Sequence, residues 1–344
     1  MTAKRNAAHI RIGRQPPASG ARPPAGRRRM LGAAVLGGAA LAAVGVFAWV
    51  GASGNAHASA LNCAATPSQC GYPDATNTGV PAGTTLKTVP GQVSSGPGWS
   101  YVAADAEVIV TGKGTVISGL YIPYTLVINA SNVTVKDVQV VTGASFGISL
   151  TNTANVTIEN STISGVNATT GRVGSAIDDV YGNSTGIVLT DNNISYFKTA
   201  IQISGGLATG NYIHAPGYIS GDHTNGFYVN GGTAALTIKD NTIFNSLNQT
   251  DAINLDSGSA GVPVANKTIE GNFLAGGGYS IYGGTALSNT TSNIVIEGNR
   301  FGQNYYPLSG LYGPAAYYSS TSTGNAWSGN YWDTTGQAIP APTS

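Results

Sequence analysis

Ile238-Lys-Asp-Asn-Thr-Ile243 is one copy of a phrase that recurs through the second half of this chain. The others are Ile158-Glu-Asn-Ser-Thr-Ile163, Leu189-Thr-Asp-Asn-Asn-Ile194, Ala208-Thr-Gly-Asn-Tyr-Ile213, Ile269-Glu-Gly-Asn-Phe-Leu274, Ile296-Glu-Gly-Asn-Arg-Phe301 and Trp327-Ser-Gly-Asn-Tyr-Trp332. Their closing apolar residues are separated by 31, 19, 30, 31, 27 and 31 positions. Short apolar runs and small polar turns at such a period mark a solenoid, in which each repeat buries its apolar face only by stacking on its neighbours. The turn residue is Asn192, Asn211, Asn241, Asn272, Asn299 or Asn330, with Ser161 in the first copy. Asn tolerates left-handed backbone angles and bonds nearby backbone. Stacked at about 4.8 Å, these side chains would form an amide ladder with a structural role.

A second phrase lies between the first ones: Gly147-Ile-Ser-Leu, Ala176-Ile-Asp-Asp, Ala200-Ile-Gln-Ile, Gly226-Phe-Tyr-Val, Ala252-Ile-Asn-Leu, Ser280-Ile-Tyr-Gly and Gly310-Leu-Tyr-Gly. Its bulky residues are Ile148, Ile177, Ile201, Phe227, Ile253, Ile281 and Leu311. Two phrases in phase, each with apolar/polar alternation, predict two or three short strands per coil. Helical three-and-four spacing is absent, and 48 Gly residues argue against helices. The expectation is an all-β, single-stranded right-handed parallel β-helix of seven or eight coils with N- and C-terminal caps.

The repeats resemble the right-handed parallel β-helix of the pectate-lyase-like superfamily over residues 115–333. Gly221-Asp-His-Thr-Asn-Gly-Phe227, Asn248-Gln-Thr-Asp-Ala-Ile253, Gly276-Gly-Gly-Tyr-Ser-Ile-Tyr-Gly-Gly284 and Gly324-Asn-Ala-Trp-Ser-Gly-Asn-Tyr-Trp-Asp333 are similar to secreted bacterial β-helix repeat proteins of unsettled activity.

Residues 1–60 read as an export signal. Arg27-Arg28-Arg29-Met30 precede an apolar, Gly/Ala-rich run over 31–50, and the small-residue sequences Ala56-His-Ala and Ala58-Ser-Ala follow as cleavage candidates. The cluster is similar to the twin-arginine type. The run is also long enough to span a bilayer, so the alternative is an uncleaved anchor holding the protein to the outer face of the membrane. Eight of the 16 basic residues lie in this segment and all 15 acidic ones beyond it, so the remainder carries −7 rather than the +1 of the whole chain. That excludes nucleic acid as an expected partner and leaves membrane contact only through an uncleaved N-terminal segment. A monomer is expected. Cys63 and Cys70 are the only cysteines, and export makes a disulfide the expectation. Residues 61–114, rich in Gly, Pro, Ser and Thr, read as an extended cap over the first coil pinned by that bond. Residues 334–344 read as a C-terminal tail.

The residue after each bulky one should face outward. That position holds Ser149, Asp178, Gln202, Tyr228, Asn254, Tyr282 and Tyr312, and two residues further lie Ser204, Asn230 and Asp256. Amides, carboxylates and tyrosines in a flat strip suit an extended carbohydrate, whose hydroxyls meet polar groups and whose C–H faces meet rings. Gln202, Tyr228, Asn230, Asn254, Asp256, Tyr282 and Tyr312 are therefore the candidate substrate-binding residues. A solvated sheet face is the plain alternative.

The candidate catalytic residues are Asp178, Asp179, Asp222, His223 and Asp251. Asp179 stands where other coils place Leu150, Ile203, Val229 and Leu255, so it is either buried or re-aimed by a β-bulge. The Asp178-Asp179 pair resembles the paired aspartates of polygalacturonase-like hydrolases, although the Asn-Thr-Asp, Gly-His-Gly and Arg-Ile-Lys signatures of that family are absent. His223 beside Asp222 and Asp251 suits a base near neutral pH; the alternative is a loop His bonded to a turn. Arg172 and Lys198 are the cations near the strip. No metal ligand set is assigned; Asp178, Asp222, Asp251 and Asp256 are the carboxylates from which a calcium site would be built. The expected function is cleavage of an extracellular polysaccharide by hydrolysis or β-elimination. The alternative is a non-catalytic glycan-binding or cell-surface structural protein.

Overall fold

A computed structural model describes residues 62–256 and 258–342. The export-signal and anchor assignments over 1–60 and 31–50 lie outside the described residues. Among the described residues, no helix is long and apolar enough to cross a membrane.

The chain is an all-β parallel solenoid. Its strands form three ladders of 10, 11 and 9 strands, and consecutive strands visit the three in turn. The ladder of nine, sheet I, carries the first half of the Asn phrase, and the ladder of ten, sheet II, its second half. The ladder of eleven, sheet III, carries the second phrase. Eight strand triplets run from Val116–Ser118 to Gly313–Ala316, about seven turns from the first triplet to the last.

Stacking follows the predicted columns. In sheet I, Ile158, Leu189, Ala208, Ile238, Ile269, Ile296 and Trp327 are in register. In sheet II, so are Ile163, Ile194, Ile213, Ile243, Leu274, Phe301 and Trp332. Between them runs the amide ladder. Asn192 Nδ2 donates to Asn211 Oδ1, Asn211 to Asn241, Asn241 to Asn272, Asn272 to Asn299 and Asn299 to Asn330, each at 2.9–3.0 Å. All six side chains are buried. Each amide thus satisfies backbone and side-chain partners in a place without water, where an unpaired group would be costly.

Sheet III departs from strict alternation. Ile148, Ile177, Ile201, Phe227, Ile253 and Ile281 stack inward as expected, yet the small residue before each is also buried. A Cβ at Gly226 would lie 2.5 Å from Ile243 Cγ2, so the corner between sheets II and III admits only a small residue. The last coil differs from expectation. Ile281 pairs with Ala315, not Leu311, and Leu311 is exposed. The residues between Phe301 and Gly313 form a longer loop that shifts the phase of the final strand.

Residues 62–114 also depart from the expected single cap. Cys63 and Cys70 are disulfide-bonded. That loop, however, packs far from the first coil: Arg300 Nη2 donates to Cys63 Sγ at 2.9 Å, and the Tyr72 ring packs tilted against Phe273 with centroids 5.2 Å apart. The segment then runs back along sheet II. Gly79 N donates to Asp191 O and Val80 N to Thr162 Oγ1, and Lys87–Thr88 pairs with Leu120–Tyr121. It is a strap along one flank, buried against Phe244, Phe273 and Tyr212. The cap proper is Trp99–Val102, antiparallel to Glu107–Val110, which itself pairs in parallel with Thr125–Ile128. The parallel stack thus begins near residue 107. At the other end the expected tail folds back: Ile339 is buried and its carbonyl accepts from Trp327 Nε1 at 2.8 Å. Both covers bury a solenoid end that would otherwise expose core and strand edges.

Candidate functional site

The outer face of sheet III bears a groove along successive coils. One hollow of about 370 Å³ is lined by Gly143, Ala144, Ser145, Arg172, Ser175, Lys198, Thr199 and Gln202. The next, about 300 Å³, shares Lys198, Thr199 and Gln202 and adds His223, Asn225, Tyr228, Thr250 and Asn254.

The outward column is Ser149, Asp178, Gln202, Tyr228, Asn254 and Tyr282, in unbroken register. Because two inward residues occur in succession, a second column runs on this side, Ser175, Thr199, Asn225 and Asp251; the first three line the hollows, whereas Asp251 is fully buried. Strict alternation hides that column from a sequence reading; the small residue preceding each bulky one is the signal that would have exposed it. Lys198, Thr199, Asn225 and Thr250 therefore line the groove although they were not among the candidates. Tyr312 leaves the strip. The partner of Tyr282 in the last coil is Ala316, and Tyr312 projects from the preceding loop, 65% exposed. Asn230 is exposed.

The Asp178-Asp179 pair is split by the pleat. Asp179 takes the buried alternative: it lies in register with Leu150, and both its oxygens accept from Ser184 N, at 3.3 and 3.0 Å. It supports a turn. Asp178 faces the groove side but is buried, and its Oδ1 has no hydrogen-bond partner. Burial pushes its carboxyl up to about 6; the Asp179 charge adds to this and a Ser175 hydrogen bond opposes it.

Asp222 and His223 also separate. Asp222 accepts from Arg172 Nε and Nη2 at 2.5 and 2.6 Å and from Ile219 N at 2.8 Å. Burial raises its carboxyl, but the Arg172 and Ile219 hydrogen bonds and the Arg172 charge outweigh that and hold it below the usual range. An aspartate so engaged is a loop clamp. His223 is exposed at the lip of the groove.

Asp251 and Asp256 come together through Asn254. Asn254 Nδ2 donates to Asp251 Oδ2 at 3.0 Å, and Asp256 N donates to Asn254 Oδ1 at 2.8 Å. Each carboxyl retains one buried Oδ1 without a hydrogen-bond partner. Burial drives Asp251 well above the usual carboxylate range, with Asn254 opposing and the Asp256 charge adding. Burial pushes Asp256 up to about 6 against a backbone hydrogen bond from Ala286. The phenols of Tyr228 and Tyr282 are raised by burial first, and further by the Asp251 and Asp256 charges. This pairing of carboxyls, with tyrosines on either side along the column, is the most chemically distinctive cluster on the face. Among the described residues, no group of three or more His, Cys, Asp or Glu side chains could hold a metal ion. Of the carboxylates considered for calcium, Asp222 sits on Arg172 and Asp178 lies three strands along the column from the Asp251–Asp256 pair.

No family model matches the chain, and no curated protein matches it. Among solved structures, the catalytic unit of a thermostable GH87 alpha-1,3-glucanase from Streptomyces thermodiastaticus strain HF3-3 is similar at 14% identity and a TM-score of 0.31, over 76% of this chain and 71% of that one. At that level of similarity neither fold family nor chemistry transfers.

Proposed function

We propose that the protein is an exported glycoside hydrolase of the pectate-lyase-like β-helix type, acting on an extracellular polysaccharide laid along sheet III. The observation that carries this is the Asp251–Asn254–Asp256 cluster. Asn254 joins the two residues, donating from Nδ2 to the Asp251 carboxyl and accepting at Oδ1 from the Asp256 backbone N–H, and the two carboxyls are close enough for the Asp256 charge to act on Asp251. Both are raised, and the charge of Asp256 raises Asp251 further. Such a pair keeps one proton between them near neutral pH. The monoanionic pair supplies both an acid for the glycosidic oxygen and a second carboxylate. Asp251, the more strongly raised, holds that proton, and Asp256, the less buried of the two, is assigned as the ionised carboxylate. In this reading Tyr228, Gln202 and His223, which line the groove, bond sugar hydroxyls. Hydrolysis is favoured over β-elimination because Arg172 is engaged by Asp222, which leaves Lys198 as the groove's available cation. The N-terminal sequence and the Cys63–Cys70 bond support export.

The complete burial of Asp251 favours a second reading, a non-catalytic glycan-binding protein in which that carboxyl only braces Asn254. Incubating the protein with a panel of polysaccharides separates the two. New reducing ends that Asp256→Asn abolishes are expected for the hydrolase. Binding without products from the unaltered protein establishes the second reading, and unsaturated products would identify a lyase.

A further inference from the structure

We propose that a row of four tyrosines, Tyr312, Tyr279, Tyr282 and Tyr317, binds the pyranose rings of a neutral glycan strand beyond the Asp251–Asp256 pair, at the C-terminal end of sheet III. This names the substrate class for the hydrolase reading above and rests on it.

The rings form one continuous series. Tyr312 and Tyr279 are 5.8 Å apart between centroids, Tyr279 and Tyr282 5.8 Å, and Tyr282 and Tyr317 5.4 Å. Tyr312 and Tyr317 are 65% and 51% exposed, so a contiguous aromatic surface faces water where solubility asks for none. Their backbones are fixed: Tyr312 N donates to Gly278 O at 2.8 Å, and Tyr317 O accepts from Thr285 N at 2.9 Å. A held ring with an apolar face and a polar edge offers packing to sugar C–H groups and a hydrogen bond to a hydroxyl at small entropic cost.

The charge distribution selects a neutral strand. Tyr282 lies within the influence of the Asp251 and Asp256 carboxyls, which repel anions. Among described residues beyond Asp240, the cations are Lys267 and Arg300. Lys267 Nζ donates to the Ser204 and Ala234 carbonyls, and Arg300 is paired with Asp333 on sheet II. Neither serves this face, so a uronate or sulfated chain would find no counter-charge on the row.

The test is retardation of the native protein in gels containing either neutral polysaccharides (dextran, laminarin, pullulan) or anionic ones (polygalacturonate, alginate). Wild type and Asp256→Asn should be retarded by at least one neutral polysaccharide. Tyr312→Ala/Tyr317→Ala should lose affinity about tenfold or more with an unchanged circular dichroism spectrum. Retardation by anionic polymers alone, by none, or equally for the double variant overturns the proposal. So does concentration-dependent self-association in sedimentation velocity that the double variant abolishes, since the row would then be a contact between copies. The two readings fail separately. Products formed with no effect of the double variant remove the tyrosine row alone. Neutral-glycan binding through the row without products removes the hydrolase alone.

Discussion

The Arg172 guanidinium clasps both oxygens of Asp222, through Nε at 2.5 Å and Nη2 at 2.6 Å, and so joins two groove-side loops fifty residues apart in sequence. Side-chain exposures of 15% and 10% shield the pair from water and salt. Asp222→Asn should destabilise the fold by about 2 kcal/mol, because an unpaired, partly buried guanidinium remains. Asp222 is lowered in the folded state, so its contribution is complete above the ordinary value of 3.8 and is lost as the pH falls below it. Urea unfolding at neutral and acid pH checks both points: the difference between wild type and variant should shrink in acid. The exposed Lys239–Glu270 pair is the control, and its removal should leave the midpoint unchanged.

The Asn ladder makes a sharper prediction. Asn241 Oδ1 accepts from both Asn211 N and Asn211 Nδ2, and Asn241 Nδ2 donates to Ala208 O and Asn272 Oδ1. Asn241→Ala strands several buried groups at once and should cost about 3 kcal/mol or more. Asn230→Ala, on the exposed face, should change stability by less than about 0.5 kcal/mol. Thermal and urea midpoints of the two variants provide the comparison.

The solenoid and its ladder were legible because side chains repeated at a fixed interval must occupy equivalent places. Where the interval changed, the reading failed. The loop between Phe301 and Gly313 displaced the last phrase, so Leu311 and Tyr312 were given places that Ala315 and Ala316 hold. The second groove column was hidden because alternation predicts one inward residue where the corner takes two. Lys267 was invisible for a different reason. It stands in the apolar column between Leu236 and Ile294, yet is buried, its ammonium held by two carbonyls. Nothing in a linear pattern announces carbonyls contributed by two earlier coils. The same holds for the strap, whose partners Phe273 and Arg300 lie some two hundred residues downstream.

That strap can be separated from the groove experimentally. The Cys63–Cys70 loop rests on sheet II, whereas the groove lies on sheet III. Cys63→Ser/Cys70→Ser should lower stability by about 2 kcal/mol, as expected for a short closed loop. It should also expose the strap to proteolysis while leaving glycan binding intact. Limited proteolysis with mass analysis of the fragments, alongside gel retardation, checks this. A loss of binding equal to the loss of stability would show the two flanks to be coupled.

The carboxyl pair sets the pH behaviour of any cleavage. Burial raises Asp256 to about 6 and drives Asp251 higher still, with the Asp256 charge adding to it, so the protons leave the pair in two steps. Activity should follow a bell whose two limbs both belong to the pair: too acid, and neither carboxyl is ionised; too alkaline, and no acid remains. The same shifts act on stability with a definite sign. A raised aspartate binds its proton more tightly when folded, so stability should fall as the pH rises from 3.8 through about 6, where the Asp178 and Asp256 shares end, and continue to fall at higher pH through the share of Asp251. Asp178→Asn should flatten part of that fall while leaving the activity profile in place. Asp256→Asn should flatten part of it too, but lower turnover at least a hundredfold. Measuring stability and turnover over the same pH range in the two variants distinguishes a carboxyl that merely tolerates burial from one used in the reaction. If Asp178→Asn removed activity and Asp256→Asn did not, the catalytic carboxyl would lie at Asp178.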